Sequence, residues 1–228
     1  MTTPIFICGA ECGQGVNPNT ASSALHWGIL SNAAAVTTTV RSGLRSWNPT
    51  PNTGSMVRYL SSQRLVGRAY LRFATFPTAV AILLQCTDAN GNLVIQFNNA
   101  TGRLEAKVGT GAAQVGPAIS LDIWYQVDFD AITSGATATL DWQVDGVAQT
   151  QATNVQAAAD ISNFDLRLSS TNGEIFYDDI VLSGTAADYP IGAGKVIGYS
   201  PDEDGTHSFT ANDFLDTAGS AIAATATN

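Results

Sequence analysis

The densest pattern in this sequence lies in four segments, which run Ile123-Trp-Tyr-Gln-Val-Asp-Phe-Asp130, Ala138-Thr-Leu-Asp-Trp-Gln-Val-Asp-Gly146, Phe164-Asp-Leu-Arg-Leu168 and Glu174-Ile-Phe-Tyr-Asp-Asp-Ile-Val-Leu182. In each segment apolar residues alternate with polar ones, which is the period of a half-buried β-strand rather than of a helix. Asp145-Gly146, at the end of the second segment, is suited to a tight hairpin turn. We therefore predict four antiparallel strands that form one sheet of a sandwich.

Further strand patterns precede these four segments and cover residues 5–8, 36–40, 56–60, 65–73, 80–86, 93–97 and 103–108. Asn90-Gly91 predicts a hairpin whose two central residues have positive φ, and Asn99 to Gly102 predicts another turn. Strands at a spacing of about 8–12 residues, without amphipathic helices between them, are typical of an all-β sandwich or barrel. The pattern weakens after Gly184. We therefore predict one domain over residues 1–184 and a C-terminal extension over residues 185–228 that packs loosely or docks on a neighbour.

The composition disfavours several classes of partner. The chain has 228 residues, and its hydrophobic content of 45% is ample for a core. Its 10 Lys and Arg residues and its net charge of -9 do not provide the broad basic surface that binds nucleic acid. No window approaches the roughly 18 apolar residues of a membrane span, and the first residues lack the regions of a secretion signal. We expect a soluble protein that is made in the cytoplasm and binds neither nucleic acid nor membrane.

Residue types that bind zinc or carry general base catalysis are scarce. The three cysteines, Cys8, Cys12 and Cys86, cannot all pair internally, and a single Cys-x3-Cys spacing lacks the second ligand pair of a zinc site. We expect reduced, partly buried thiols. Neither His26 nor His207 lies in a catalytic spacing. The sequence therefore does not predict an enzyme.

Two pairs of aspartates have different candidate roles. Asp141 and Asp145 lie on one face of a predicted strand, where two carboxylates can serve as the acid and base of a glycosidase, although solvent-facing structural roles are commoner. Asp178-Asp179 interrupts a strand that is otherwise apolar on both faces, and a buried carboxylate there needs a partner. The candidate partners are backbone amides of the N-terminal segment, an arginine, or a Ca²⁺ ion.

One tryptophan is a candidate for ligand binding. Trp124 lies on the polar side of its predicted strand, together with Gln126 and Asp128. An exposed tryptophan on a sheet can stack on a sugar ring, so Trp124 and Gln126 are the candidate ligand-binding residues. The alternative is that the tail or a loop covers them.

The order of several short motifs resembles the concanavalin A-like, laminin-G-like jelly roll. The motifs are Phe6-Ile-Cys-Gly-Ala-Glu11-Cys-Gly13, Arg41-Ser-Gly43-Leu-Arg, Trp124-Tyr-Gln-Val, Val144-Asp-Gly146 and Phe176-Tyr-Asp-Asp-Ile180. The resemblance covers roughly residues 5–184 and implies a two-sheet antiparallel jelly-roll sandwich. This family occurs in carbohydrate-binding modules and in structural proteins of tailed bacteriophages. In carbohydrate-binding relatives a Glu of the opening strand and an Asp of the closing strand hold a structural Ca²⁺, which implies Glu11 and Asp179 here. The commoner Gly-Phe-Glu is replaced by Gly-Ala-Glu.

The segment after the sandwich extends the resemblance to the phage proteins. Gly194-Lys-Val-Ile-Gly-Tyr-Ser-Pro-Asp-Glu-Asp-Gly205-Thr-His-Ser-Phe209 is similar to the stretch that follows the sandwich in those proteins. We therefore predict a non-enzymatic virion protein, assembled in the bacterial cytoplasm, that acts as a capsid decoration, fibre or tail-associated module. Its expected partners are other virion proteins and further copies of itself. The alternative is a carbohydrate-binding module that binds a glycan through Trp124, and a third hypothesis is a glycoside hydrolase or lyase that uses Asp141 or Asp145.

Overall fold

The computed structural model describes residues 6–8, 29–42 and 45–194, which contain sixteen β-strands and one short 3-10 helix, Ala186–Asp188. The strands are β1 Phe6–Cys8, β2 Ile29–Ser31, β3 Ala33–Val36, β4 Ser46–Pro49, β5 Ser55–Ser62, β6 Arg64–Thr75, β7 Ala81–Asp88, β8 Gly91–Asn98, β9 Arg103–Val108, β10 Gln114–Ala118, β11 Tyr125–Ile132, β12 Thr137–Val144, β13 Val147–Ala148, β14 Ala152–Val155, β15 Ile161–Arg167 and β16 Glu174–Ser183. Within these ranges no helix is long and apolar enough to cross a bilayer. Apart from Gly194, the stretch Gly194–Phe209 that resembles the phage proteins lies outside the described residues.

The strands form two antiparallel sheets. Sheet A has nine strands in the order β13-β12-β11-β6-β16-β4-β3, with β14 also beside β12 and β1 also beside β16. Sheet B has seven strands in the order β10-β9-β8-β7-β15-β5-β2. Strands that are distant in sequence, such as β6, β11 and β16, are neighbours in sheet A. The predicted all-β, two-sheet antiparallel sandwich is confirmed.

The two sheets enclose one apolar core. Phe129 of sheet A stacks on Phe164 of sheet B, with ring centroids 5.5 Å apart. Burying one such large apolar side chain contributes about 1.5–3 kcal/mol, so the core dominates the stability. Its largest fully buried side chains are Trp47, Trp142, Tyr177, Phe73, Phe97, Phe129, Phe164, Met56, Leu65, Leu71 and Leu83.

One polar group crosses the core. Tyr177 lies on β16 of sheet A, and its side chain is fully buried. Its hydroxyl lies 2.9 Å from the carbonyl oxygen of Leu83 and 2.7 Å from that of Arg167, both in sheet B. The buried phenol therefore has acceptors for its proton, as a buried hydroxyl needs.

The four segments with the clearest alternation do not share one sheet. The strands β11, β12 and β16 belong to sheet A, but β15 pairs with β5 and β7 in sheet B. The prediction of a single four-stranded sheet was therefore wrong. Alternation identifies which side of a strand is buried, but both inner faces of a sandwich show the same alternation.

Two local predictions gave the wrong residue boundaries. The strand predicted over residues 36–40 ends at Val36, and the residues that follow form a bend. The Asn90-Gly91 hairpin exists, but its turn residues are Ala89 and Asn90, since Gly91 already pairs with Asp88. The Asp88 carboxylate accepts the N–H groups of Asn90 and Gly91 at 2.7 and 2.8 Å, which favours this turn.

The hairpin turn predicted at Asp145-Gly146 is present. Asp145 and Gly146 have φ values of 49° and 76° and join β12 to β13. Positive φ at both central residues is the geometry that suits a two-residue hairpin loop.

Cys86 is a buried free thiol, and burial raises its pKa, as expected for a reduced core cysteine. Cys12 lies outside the described residues.

A substitution at Gly67 tests how closely the core is packed at the centre of sheet A. A Cβ at this position would lie 2.2 Å from Phe129 Cζ and 2.9 Å from a Leu182 methyl carbon. We expect Gly67→Ala to lower the free energy of unfolding by about 1–3 kcal/mol in urea denaturation, because the core cannot accept the added group. The control Gly135→Ala, whose nearest atoms lie at 3.8 Å, should change the stability by less than about 0.5 kcal/mol. Equal effects of the two substitutions would contradict this description of the core.

Candidate functional site

The outward side of sheet A carries polar residues that are nevertheless buried. Neighbouring positions on β6 and β11 place Tyr70 opposite Gln126 and Arg68 opposite Asp128. All four side chains are nearly inaccessible, and Asp128 has no exposed surface. The expectation that β11 is only half-buried is therefore wrong, since both of its sides are covered.

Residues 185–194, the covering segment, lie over this polar face. The N–H of Gly192 donates to Asp128 Oδ1 at 3.0 Å, and Arg68 Nη1 donates to the Gly192 carbonyl at 2.8 Å. The Gly194 carbonyl accepts a hydrogen bond from Arg41 Nη1 at 2.8 Å. The first residues of the predicted C-terminal extension are therefore bonded to their own sandwich.

Tyr189 of the covering segment lies among carboxylates. Burial raises its pKa, and the nearby charges of Asp141, Asp128 and Asp130 act in the same direction, whereas a hydrogen bond to Gln143 lowers it. A neutral phenol is thus favoured between the covering segment and the sheet.

Gln126 is not placed where a ligand can reach it. Its side-chain oxygen accepts the Tyr70 hydroxyl at 2.8 Å, and its side-chain nitrogen donates to Asp128. The residue is only 6% exposed. We therefore correct its predicted role from a direct ligand contact to a supporting position within the polar face.

Trp124 lies at the end of sheet A, immediately before β11. It retains exposed surface, whereas Trp47 and Trp142 are 2% and 1% exposed. Because Tyr125 pairs with Leu71, the register places Trp124 beside Arg72 of β6. The structure thus leaves Trp124 accessible at its end of the strand.

A charged pair accompanies Trp124. Arg72 Nη2 lies 2.6 Å from Asp122 Oδ1, and the Asp122 N–H donates to the Phe73 carbonyl at 2.8 Å. The Arg72 guanidinium is also 5.9 Å from the ring centroid of Phe176. We call Arg72, Leu121, Asp122, Ile123 and Trp124 the Trp124 patch. Sequence analysis missed its charged pair, since the partners are distant in the chain.

The Asp178-Asp179 pair is held by donors from residues 41 and 42. Asp178 Oδ2 accepts the N–H groups of Arg41 and Ser42 at 3.1 and 3.2 Å, and its Oδ1 accepts the Asp179 N–H at 2.8 Å. Asp179 pairs with the Arg41 guanidinium and accepts the Ser42 hydroxyl at 2.7 Å. Of the partners that the sequence left open, an arginine is therefore present, and backbone amides also donate, but they belong to residues 41, 42 and 179 rather than to the N-terminal segment.

The backbone bends where the two carboxylates lie. Asp179 has a φ of 49°, and the pairing of β16 with β6 shifts between Asp178 and Val181. This β-bulge lets both neighbouring side chains reach residues 41 and 42, which a regular strand would not allow because its successive side chains point to opposite faces.

Burial and neighbouring charges shift the pKa values of the ionisable groups in this region. Burial, and next the charge of Asp179, raise the pKa of Asp178 to about 7, although its three N–H donors lower it. Burial also raises the pKa of Asp128 and lowers that of Arg68, while the charges of Arg68 and Asp128 stabilise each other.

The described residues do not fit a Ca²⁺ ion bound at Asp179. The implied second ligand, Glu11, lies outside the described residues, and no three acidic, His or Cys side chains converge within residues 6–8, 29–42 and 45–194. One Asp179 oxygen accepts a hydrogen bond from the positively charged Arg41 guanidinium, and the other accepts one from the Ser42 hydroxyl.

Asp141 and Asp145 have structural partners. Both Asp141 oxygens accept Gln151 Nε2, at 2.8 and 2.9 Å. Asp145 Oδ1 accepts the Gln126 N–H at 2.8 Å from its position in the hairpin turn. The geometry therefore gives each carboxylate a local role and offers no support for an acid–base pair. His26 and His207 lie outside the described residues.

Solved structures with this architecture include binding domains and an enzyme. The cellulose induced protein Cip1 matches with a TM-score of 0.51 and 13% identity, over 68% of this chain and 86% of that one. The botulinum neurotoxin type G receptor binding domain matches with a TM-score of 0.54 and 8% identity, over 80% and 48%. The Trypanosoma rangeli sialidase in complex with 2,3-difluorosialic acid matches with a TM-score of 0.50 and 16% identity, over 68% and 27%.

These likenesses establish the fold alone. The chain spans about half the length of the neurotoxin domain and about a quarter of the sialidase. No protein-family model and no curated protein matches the sequence. The three structures share the β-sandwich with this chain, at identities that carry no information on their sites.

Asp178 makes the stability depend on pH. Its folded-state pKa of about 7 exceeds the ordinary value of 3.8, so the folded state holds more protons than the unfolded state between about pH 4 and pH 7. The free energy of unfolding should therefore fall as the pH rises through this window, by a few kcal/mol at about 1.4 kcal/mol per pKa unit. The buried Asp128 and Asp165, whose pKa values are also raised, act in the same direction.

Urea unfolding between about pH 5 and pH 8 measures this dependence. In Asp178→Asn the slope of stability against pH should be clearly shallower than in the wild type, whatever the change in absolute stability. An unchanged slope would show that Asp178 does not titrate in this range.

Proposed function

We propose that this protein is a non-catalytic binding domain that recognises a neutral glycan through the Trp124 patch. The observation that carries the proposal is the partial exposure of Trp124 beside the paired Arg72 and Asp122, whereas Trp47 and Trp142 are buried in the core. The other predicted contact, Gln126, lies beneath the covering segment and supports the sheet.

The patch offers the two kinds of contact that a sugar ring needs. The indole face of Trp124 suits the apolar C–H side of a pyranose. Beside it, Arg72 provides N–H donors and Asp122 provides acceptors for hydroxyl groups, and the Asp122 side chain is 65% exposed. The ion pair and the Asp122 backbone bond hold both groups in place, which reduces the entropy lost on binding.

Charge favours a neutral ligand over an anionic one. The Arg72 charge is already compensated by Asp122, and the chain carries a net charge of -9. Long-range repulsion therefore opposes the approach of sulfated or polyuronate chains at low ionic strength.

The structural comparisons support a binding role at the level of the scaffold. One matched structure is named as a receptor binding domain, and another is a sialidase with a bound sialic acid derivative. The virion role and its protein partners, which the sequence resemblance suggested, stay a prediction.

A glycan microarray followed by titration calorimetry on the best neutral hit tests the proposal. Trp124→Ala should weaken binding by about 10-fold or more, because truncating a central aromatic contact removes at least about 1.4 kcal/mol. Tyr59→Ala is the control, since it removes an exposed aromatic side chain, 55% accessible, from sheet B. Binding that survives Trp124→Ala, or hydrolysis of the bound glycan, would contradict the proposal.

A further inference from the structure

The closing strand β16 holds two carboxylates that have no exposed surface, Asp178 and Asp179. Such a pair is stable only where positive charge and hydrogen-bond donors compensate it. In the sequence resemblance that compensation comes from a bound calcium ion, whereas here a side chain of the protein lies against the same carboxylate.

Arg41 meets this requirement from several directions. Its guanidinium pairs with Asp179 and donates to the Gly194 carbonyl at 2.8 Å, while its backbone N–H donates to Asp178 at 3.1 Å. The guanidinium carbon lies 3.3 Å from the ring centroid of Tyr70, so the aromatic face also stabilises the cation. One residue thus contacts β16, β6 and the covering segment.

Arg68, another arginine of the region, is attracted by the Asp179 charge but donates to main-chain oxygens rather than to that carboxylate. Arg68 lies 5.5 Å from the Tyr70 centroid and donates to the Gly192 carbonyl and, more weakly, to the Asp179 carbonyl at 3.4 Å. Its contacts are with main-chain oxygens of the covering segment and the bulge, and the Asp179 carboxylate is paired with Arg41.

We propose that the Arg41 guanidinium is the built-in cation of this sandwich, taking at Asp179 the place that the resemblance gives to calcium and fastening the covering segment to the closing strand. A planar guanidinium suits this position because it can donate to a carboxylate and a carbonyl while one face stacks on an aromatic ring. The folded state then requires no calcium, and the proposal is independent of any glycan.

The first test measures thermal unfolding of the whole wild-type chain in EDTA and in millimolar CaCl2. A ligand that binds the folded state raises the midpoint, so a resident calcium would give a clear difference between the two conditions. We expect midpoints that agree within about 1 °C. A midpoint that rises by several degrees with calcium would overturn the proposal.

The second test separates the cation from simple loss of packing. Arg41→Met should lower the midpoint by about 10 °C, because removing the arginine partner of a buried carboxylate carries a large free-energy penalty. The double variant Arg41→Met with Asp179→Asn should be more stable than Arg41→Met alone, since removing both charges abolishes that penalty. Lys107→Met, on half-exposed β9 surface, controls for the change in net charge and should shift the midpoint by less than about 2 °C.

A double variant that is less stable than Arg41→Met would overturn the proposal, because the two residues would then contribute independently. If Arg41→Met does not fold, the double variant remains informative. Its recovery of a cooperative transition supports the proposal, and its failure to fold while Asp179→Asn alone folds contradicts it.

Discussion

A buried carboxylate must be compensated where it lies, and in this protein two neighbouring carboxylates occupy the middle of a central strand. Asp178 and Asp179 therefore fix the positions of groups far from them in sequence. Residues 41 and 42 turn their N–H groups towards the pair, and the bulge in β16 presents both side chains to that turn. The strand, residues 41 and 42 and the covering segment are consequently bonded to one another.

The same constraint explains why sheet A can bury both of its sides. The outward row on β6 includes Arg64, Arg68 and Arg72, which pair or pack with acidic residues or main-chain oxygens. The covering segment satisfies the middle of the row with its own peptide groups. The two ends of the row are left to side-chain ion pairs, and at one end this leaves the Trp124 patch accessible.

Sequence patterns predicted the side chains that face the core but not the covering of the opposite side. The alternation around Phe129, Trp142 and Tyr177 correctly indicates the inner face, because that burial repeats every second residue. Asp128 shows no local sign of burial, since Gly192, which covers it, lies 64 residues away. The same limit applied to the candidate site. The strand pattern identified Trp124, but it could not identify the ion pair between Arg72 and Asp122, because these residues are 50 positions apart in the sequence. The spacing of four between the arginines of β6, which places them on one face, was the signal available in the sequence.

The hydroxyl of Tyr177 has a mechanical consequence. It reaches from sheet A to two carbonyl oxygens on adjacent strands of sheet B. Apolar contacts fix the relative position of two sheets less sharply than a hydrogen bond does, because the hydrophobic effect and dispersion are not directional. A hydrogen bond that is directional and shielded from water resists such sliding, since displacement would leave the phenol without an acceptor. Tyr177 therefore opposes sliding of one sheet over the other and helps to set the offset between them.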